Sequence, residues 1–334
     1  MTWKTGYTIE DGATQSMLAA FLDCRERMGL TLSGWEKKTS SKSAMRFGSM
    51  VHSALEELYK AMGRGAVGNL ERVIERSITK SLRKNIVGSS DAYQAQEMEL
   101  EANRARAVLG EYLNEHTSDI KREWIAVEPV FDVMFRGFRL RGRIDGVFRK
   151  AKSVWMLETK TKGRISEDAL TSSLSFDWQT LFYLTALKAM MDDPVKGALY
   201  NIIRNPQLKQ KKGEDETGFI ARIRKDAYER PDHYFKRFEL TFPKVVVKTF
   251  EDELEAILKD FAAWVAGDLP TYRRRQACVG MWSCEFLDMC ASGDNVGFAQ
   301  TRKLFRELED DDDGSGEGGE KAAKQKRKVK RRKA

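Results

Sequence analysis

The stretch GRIDGVFRKAKSVWMLETKTK, Gly142–Lys162, decides the reading of the whole chain. Its β-branched and aromatic residues fall in two runs separated by a short polar turn at Lys150 to Lys152, the pattern of a β-hairpin. Alternation along the second run puts Glu158 and Lys160 on one face of a strand and Thr159 on the other. Pairing of the two strands through that turn brings Asp145 towards Glu158, so that two carboxylates and an amine converge. Carboxylate oxygens are the ligands Mg²⁺ prefers, and the ion keeps waters, one of which can act as nucleophile. A neighbouring ammonium stabilises negative charge on phosphate or orients that water. The combination suits phosphodiester hydrolysis, although acids and bases on an edge hairpin also pair simply with each other.

Outward from this hairpin, the segments 124–135, 138–150 and 153–162 read as three successive strands with turns at Arg136-Gly137 and Lys150 to Lys152. Residues 13–123 read as helical, with apolar residues at helical intervals and Gly or Ser punctuation between segments. After the hairpin come a helix over about 176–191, a strand in GALYNIIRN, a charged loop at 207–217, a strand near 233–242 and an amphipathic helix in TFEDELEAILKDFAAWVAG. The expected organisation is a helical N-terminal region (1–123), an α/β core (124–270), a cysteine-rich segment (271–306) and a tail (307–334). The tail holds 8 acids and no bases in 307–320, then 9 bases and no acids in 321–334, and its low complexity predicts disorder.

The order helical His52, then Gly142-Arg143-Ile144-Asp145, then Glu158-Thr159-Lys160, then Gln179 to Tyr183 resembles the RecB-like branch of the PD-(D/E)xK nuclease superfamily. The resemblance implies a restriction-endonuclease-like α/β fold, a mixed central sheet flanked by helices, and a metal-dependent DNA nuclease. It implies Asp145, Glu158 and Lys160 as catalytic residues, and His52, Asp145, Glu158 and Thr159 as ligands of Mg²⁺ or Mn²⁺. Glu128 stands where related nucleases carry a further acid on the preceding strand. Gln179 and Tyr183 stand four apart on one helical face, placed to contact a DNA phosphate or orient the lysine, with routine packing as the alternative. A looser similarity to phage-encoded single-domain nucleases adds Arg204, with Lys209, Lys211, Lys212, Arg222, Arg224 and Lys225, along a DNA path.

Four cysteines occur, Cys24 far upstream and Cys278, Cys284 and Cys290 spaced C-x5-C-x5-C. In a reducing compartment clustered cysteines point to metal rather than disulfides. One cysteine before the core and three after it resembles the AddB-type and CRISPR-adaptation nucleases of the same branch, which implies a 4Fe-4S cluster joining the chain ends. Four thiolates equally suit tetrahedral Zn²⁺.

Over 334 residues, 41% hydrophobic and 10% aromatic content allows a sizeable core, and the formal charge is +8. The tail contributes only +1 of that, so the body remains basic, a modest pointer to a polyanionic partner. No stretch approaches the ~18 consecutive apolar residues of a spanning helix, and no signal-like run opens the chain, so the expected place is a bacterial or phage-infected host cytoplasm. The leading expectation is an exonuclease of recombination, repair or phage DNA processing, working with DNA and an annealing protein or helicase. The rival is a catalytically silent DNA-binding scaffold that keeps the fold and the cluster.

Overall fold

The computed structural model describes residues 6–38, 43–87, 92–166, 170, 173–279, 283–305 and 308. The expected disordered tail lies, apart from Leu308, outside the described residues. Helices α1 (Gln15–Asp23) and α2 (Arg25–Leu32) lead into strand β1 (Trp35–Lys37) and three long helices, α3 (Ser43–Gly63), α4 (Leu70–Val87) and α5 (Ala92–Glu115). Strands β2 (Glu123–Val127), β3 (Val130–Phe135), β4 (Phe138–Arg143), β5 (Gly146–Lys150) and β6 (Ser153–Lys162) follow. Then come α6 (Trp178–Met190), β7 (Val195–Arg204), α7 (Glu216–Glu229), the single turn α8 (Pro231–Tyr234), β8 (Phe235–Leu240) and α9 (Lys244–Ala266). Two short helices, α10 (Arg275–Cys278) and α11 (Leu287–Ser292), precede β9 (Phe298–Gln300).

The central sheet has the order β2-β5-β6-β7-β8. Its one parallel pair is β6 with β7, joined across α6; its other pairs are antiparallel. Helices cover both faces. On one, Phe47, Met50, Val51, Ala54, Leu55, Leu58 and Tyr59 form the apolar stripe of α3, at helical intervals, and pack with α4 and α5 onto Phe148, Trp155, Leu157, Leu199 and Ile203. On the other, α1, α6 and α9 cover Val147, Val154, Met156 and Ala198. The N-terminal helices and the sheet therefore share a core that runs across residue 123.

Three sequence expectations change. The predicted strands 124–135 and 138–150 are each cut in two, because Pro129 has no N–H for a ladder and Glu128 before it adopts a left-handed φ of 51°. The outer halves, β3 and β4, make a separate antiparallel ribbon while the inner halves join the sheet. The predicted strand from 233 starts at Phe235, since Pro231 opens a helical turn that takes in His233 and Tyr234. Within the expected helical region, β1 pairs antiparallel with β9 from the far end of the chain, a long-range pairing that no local pattern announces. No helix among the described residues is long and apolar enough to cross a membrane.

Candidate active site

Strands β5 and β6 pair from Lys150–Ser153 up to Gly146–Leu157. Beyond that point the chain preceding β5 bends away into the β3–β4 ribbon, and β6 continues with only its β7 edge paired. A backbone N–H left off the ladder must find another acceptor. The Thr159 N–H finds Asp145 Oδ2 at 2.6 Å, so the split in the sheet itself delivers a carboxylate beside Glu158. Two glycines on either side of the bend leave room for aromatic rings. A Cβ on Gly142 would lie 2.4 Å from the Phe131 ring and 3.3 Å from that of Tyr183, and one on Gly146 would lie 2.9 Å from the Trp124 ring. Across the bend the Glu128 N–H donates to the Asp145 carbonyl at 3.1 Å.

Helix α3 supplies His52, whose Nδ1 is 3.8 Å from Asp145 Oδ1. Among the described residues, the group of His, Cys, Asp and Glu ligand atoms gathered within 4.8 Å of one another is His52, Glu128 and Asp145. Glu158 stands next to this group rather than in it. Its Oε1 is 2.6 Å from Lys160 Nζ, and its Oε2 is buried with no hydrogen-bond partner. Lys160 Nζ also donates to Gln179 Oε1 at 2.6 Å. Gln179 is held there by the start of α6, where Asp177 caps the helix, accepting from Thr180 N at 2.9 Å and Thr180 Oγ1 at 2.7 Å.

The remaining expected residues are spread more widely. Tyr183, one turn beyond Gln179, packs edge-on against Phe131 with ring centroids 5.7 Å apart, on the ribbon side of the site. The Thr159 hydroxyl faces away from Glu158 and accepts from Asn201 Nδ2 at 3.3 Å, so only its backbone borders the acids. Arg204 ends β7 level with Lys162 and donates to His233 Nδ1 at 3.2 Å. Arg222 is engaged by Glu214, Arg224 by Glu111 and Glu71, and Lys225 by Glu229. Ion-paired cations of this kind make a poor lining for a DNA path.

Crowding of acids in a recess shapes their charge. Burial, opposed by the Thr159 N–H and Lys160, raises Asp145 to about 6. Burial and the adjacent Asp145 raise Glu158 to about 7, against the pull of Lys160. Burial, Asp145 and Glu56 raise Glu128 to about 9, opposed by Arg143 and Lys60. Burial pushes His52 below its ordinary value, outweighing Glu158. Burial also disfavours the Lys160 ammonium, but Glu158 more than offsets it and the amine is raised. Three carboxyls that resist ionisation beside a neutral imidazole form a site short of positive charge. A divalent cation fits it: the donors are hard oxygens plus one imidazole, and Glu158 Oε2 is an orphaned buried acceptor.

Sequence reasoning missed Glu56, which lies one helical turn after His52 and acts electrostatically on Glu128, and Asp177, the cap behind Gln179. The helical spacing of His52 and Glu56 was the available signal for the first, and Asp before W-Q-T for the second. Asn201 carried no signal, because a lone Asn inside an apolar strand reveals nothing about its neighbours.

The four cysteines meet in one corner, where the chain ends are joined. Cys24 sits buried in the extended break between α1 and α2, and its Sγ lies 4.0 Å from the Tyr272 carbonyl. The Cys284 N–H donates to the Cys278 carbonyl at 3.1 Å, and Cys284 and Cys290 pack against Leu30, Phe286, Met289 and Phe298. Burial raises Cys284, and Cys278 and Cys24 raise it further; burial raises Cys290 to about 11, with Cys284 and Cys24 adding to it. The thiols thus feel one another, though no three of them gather within 4.8 Å.

Comparison with known proteins agrees with this geometry. The family model of the PD-(D/E)XK nuclease superfamily matches residues 13–291, and the chain belongs to that superfamily. Among solved structures, the chain is similar in fold to a protein described as "Putative exonuclease" from Eubacterium rectale, with 11% identity, a TM-score of 0.50, and 87% of this chain and 98% of that one covered. A second structure, of SSO0001, matches at 14% identity and a TM-score of 0.29 over 64% of this chain and 94% of that one. No curated protein matches in sequence.

Proposed function

We propose that the protein is a divalent-metal-dependent deoxyribonuclease, a RecB-like exonuclease serving DNA recombination, repair or phage DNA processing. The observation that carries this reading is the orphaned Glu158 Oε2 beside the His52, Glu128 and Asp145 group, with Lys160 held in place by Glu158 and Gln179. His52, Glu128, Asp145 and Glu158 would hold the ion, which when bound supplies Lewis acidity at a phosphate and lowers the pKa of water. Lys160 keeps its charge and offers an ammonium to the negative charge that grows on the phosphate. Gln179 fixes where that ammonium points. The Thr159 N–H holds Asp145 in the position from which it can be a ligand. Tyr183 and Arg204 stand at the flanks of the site, where they would meet the strand being cut.

The cysteine corner would hold a 4Fe-4S cluster or, as the alternative, a tetrahedral Zn²⁺, with Cys24, Cys278, Cys284 and Cys290 as its ligands.

The deciding experiment incubates end-labelled single- and double-stranded DNA with the protein and Mg²⁺ or Mn²⁺, alongside Lys160→Ala. Loss of roughly 10² to 10³-fold in rate is expected for the variant, as for removal of one charge-stabilising donor. Equal digestion by the two proteins would sink the mechanism.

A further inference from the structure

Many cations on the body face fixed acids, including Arg136 on Asp252 and Glu255 and Arg149 on Glu123 and Asp193. A cation neutralised this way has little counterion to release when phosphate arrives, and counterion release dominates affinity for a nucleic-acid backbone. The cleft between the second half of α6, the start of β7 and the start of α9 differs. It encloses about 370 Å³, with Leu184 and Phe242 among the residues of its floor and Lys188, Lys196, Lys244 and Lys248 around it. Its single acid, Glu251, pairs with Lys188 at 3.3 Å. The other three lysines are exposed and have no acidic partner among the described residues.

We propose that this cleft seats the phosphate backbone of DNA flanking the cleavage site, an inference that rests on the nuclease reading above. Lys244 and Lys248 stand four apart on α9, on one face and about 6 Å apart along the axis. Lysine stems lie well over an apolar floor while their heads stay in water, where phosphate oxygens can reach them. The position fits a flank rather than the cut itself. Lys160 is level with Ile202 in the β6–β7 register, so Lys196 lies six residues back along β7. That separation is about 20 Å at the rise of a strand, or roughly six base steps of a duplex. Contacts of this type supply affinity and orientation without reading sequence. In the 207–225 segment, by contrast, Arg222 and Arg224 are already paired with acids.

The test compares wild type with Lys196→Ala/Lys244→Ala/Lys248→Ala, binding fluorescent duplexes in EDTA over a series of salt concentrations. One duplex is about 20 base pairs long and the other about 5, too short to span from the cut to the cleft. The slope of log K against log salt should shrink by about 2 to 3 for the long duplex in the variant, and binding at low salt should weaken ~10-fold or more. For the long duplex kcat/KM should fall along with the affinity, whereas the short duplex, which can still bind at the cut, should lose less. Equal slopes and affinities on the long duplex would remove the cleft from the DNA path. Failure of wild type to bind any DNA would instead overturn the nuclease reading. Polyglutamate that binds wild type but not the variant, with DNA binding unaffected, would reassign the cleft to an acidic protein partner.

Discussion

Lys160 is held between an acid and an amide, with Glu158 Oε1 and Gln179 Oε1 each 2.6 Å away. Glu158 spends one oxygen on this contact and leaves the other buried without a partner, a cost in the absence of a cation. Because the carboxyl is raised to about 7 from an ordinary value of 4.5, the folded state binds its proton more tightly than the unfolded state does. Metal-free stability therefore falls as pH climbs from 4.5 to 7, and the full penalty is present above that window. Glu158→Gln should relieve it. In EDTA at pH 8 the variant should be more stable by roughly 1 to 3 kcal/mol, and it should match wild type at acid pH. Calorimetry across the pH range checks this, and a variant less stable than wild type at pH 8 would mean that the ion pair with Lys160 outweighs the burial. Added Mg²⁺ should raise the melting temperature of wild type more than that of the variant.

At the scale of elements, the site exists because two strands change partners halfway along. Glu128-Pro129 and Ile144-Asp145 face each other at the bend, and within the outer ribbon Gly142 leaves room for the ring of Phe131, its own ladder partner. Gly142→Ala puts a methyl 2.4 Å from that ring, so it should cost about 1 to 3 kcal/mol and lower activity more than stability alone explains. Gly68→Ala, where nothing lies within 4 Å, serves as the control and should be nearly neutral. Thermal melts of both, with rates measured well below their midpoints, decide it; an unaffected Gly142→Ala would mean that the ribbon adjusts freely. The part of the expected hairpin over Gly146–Leu157 was legible from its two β-rich runs and polar turn, and so was the approach of Asp145 to Glu158. The kink was not, since a strand-like run with one proline reads as continuous until its partner is known. Gln179 was legible as a helix-face residue, but its bond to Lys160 depends on the angle at which α6 crosses β6.

For the molecule as a whole, β1 with β9 and the cysteine corner tie the two ends of the folded chain together. A cluster bound by Cys24, Cys278, Cys284 and Cys290 would make that closure metal-dependent. Protein purified without oxygen should then contain iron and absorb in the visible, and Cys24→Ser should lose the iron and become more sensitive to trypsin near both ends. Protein holding neither iron nor zinc would end the idea. The sequence by itself determined the mixed α/β class, the order of the motifs at His52, Asp145, Glu158 to Lys160 and Gln179, and the one-plus-three arrangement of cysteines, because periodicity and residue type are local properties. Only the tertiary structure decided that Glu128 joins His52 and Asp145, that Thr159 turns its hydroxyl away, and that Arg222 and Arg224 are already engaged. Those outcomes depend on which distant segments come within a few ångströms, and a side chain's charge and exposure follow from neighbours that lie far from it along the chain.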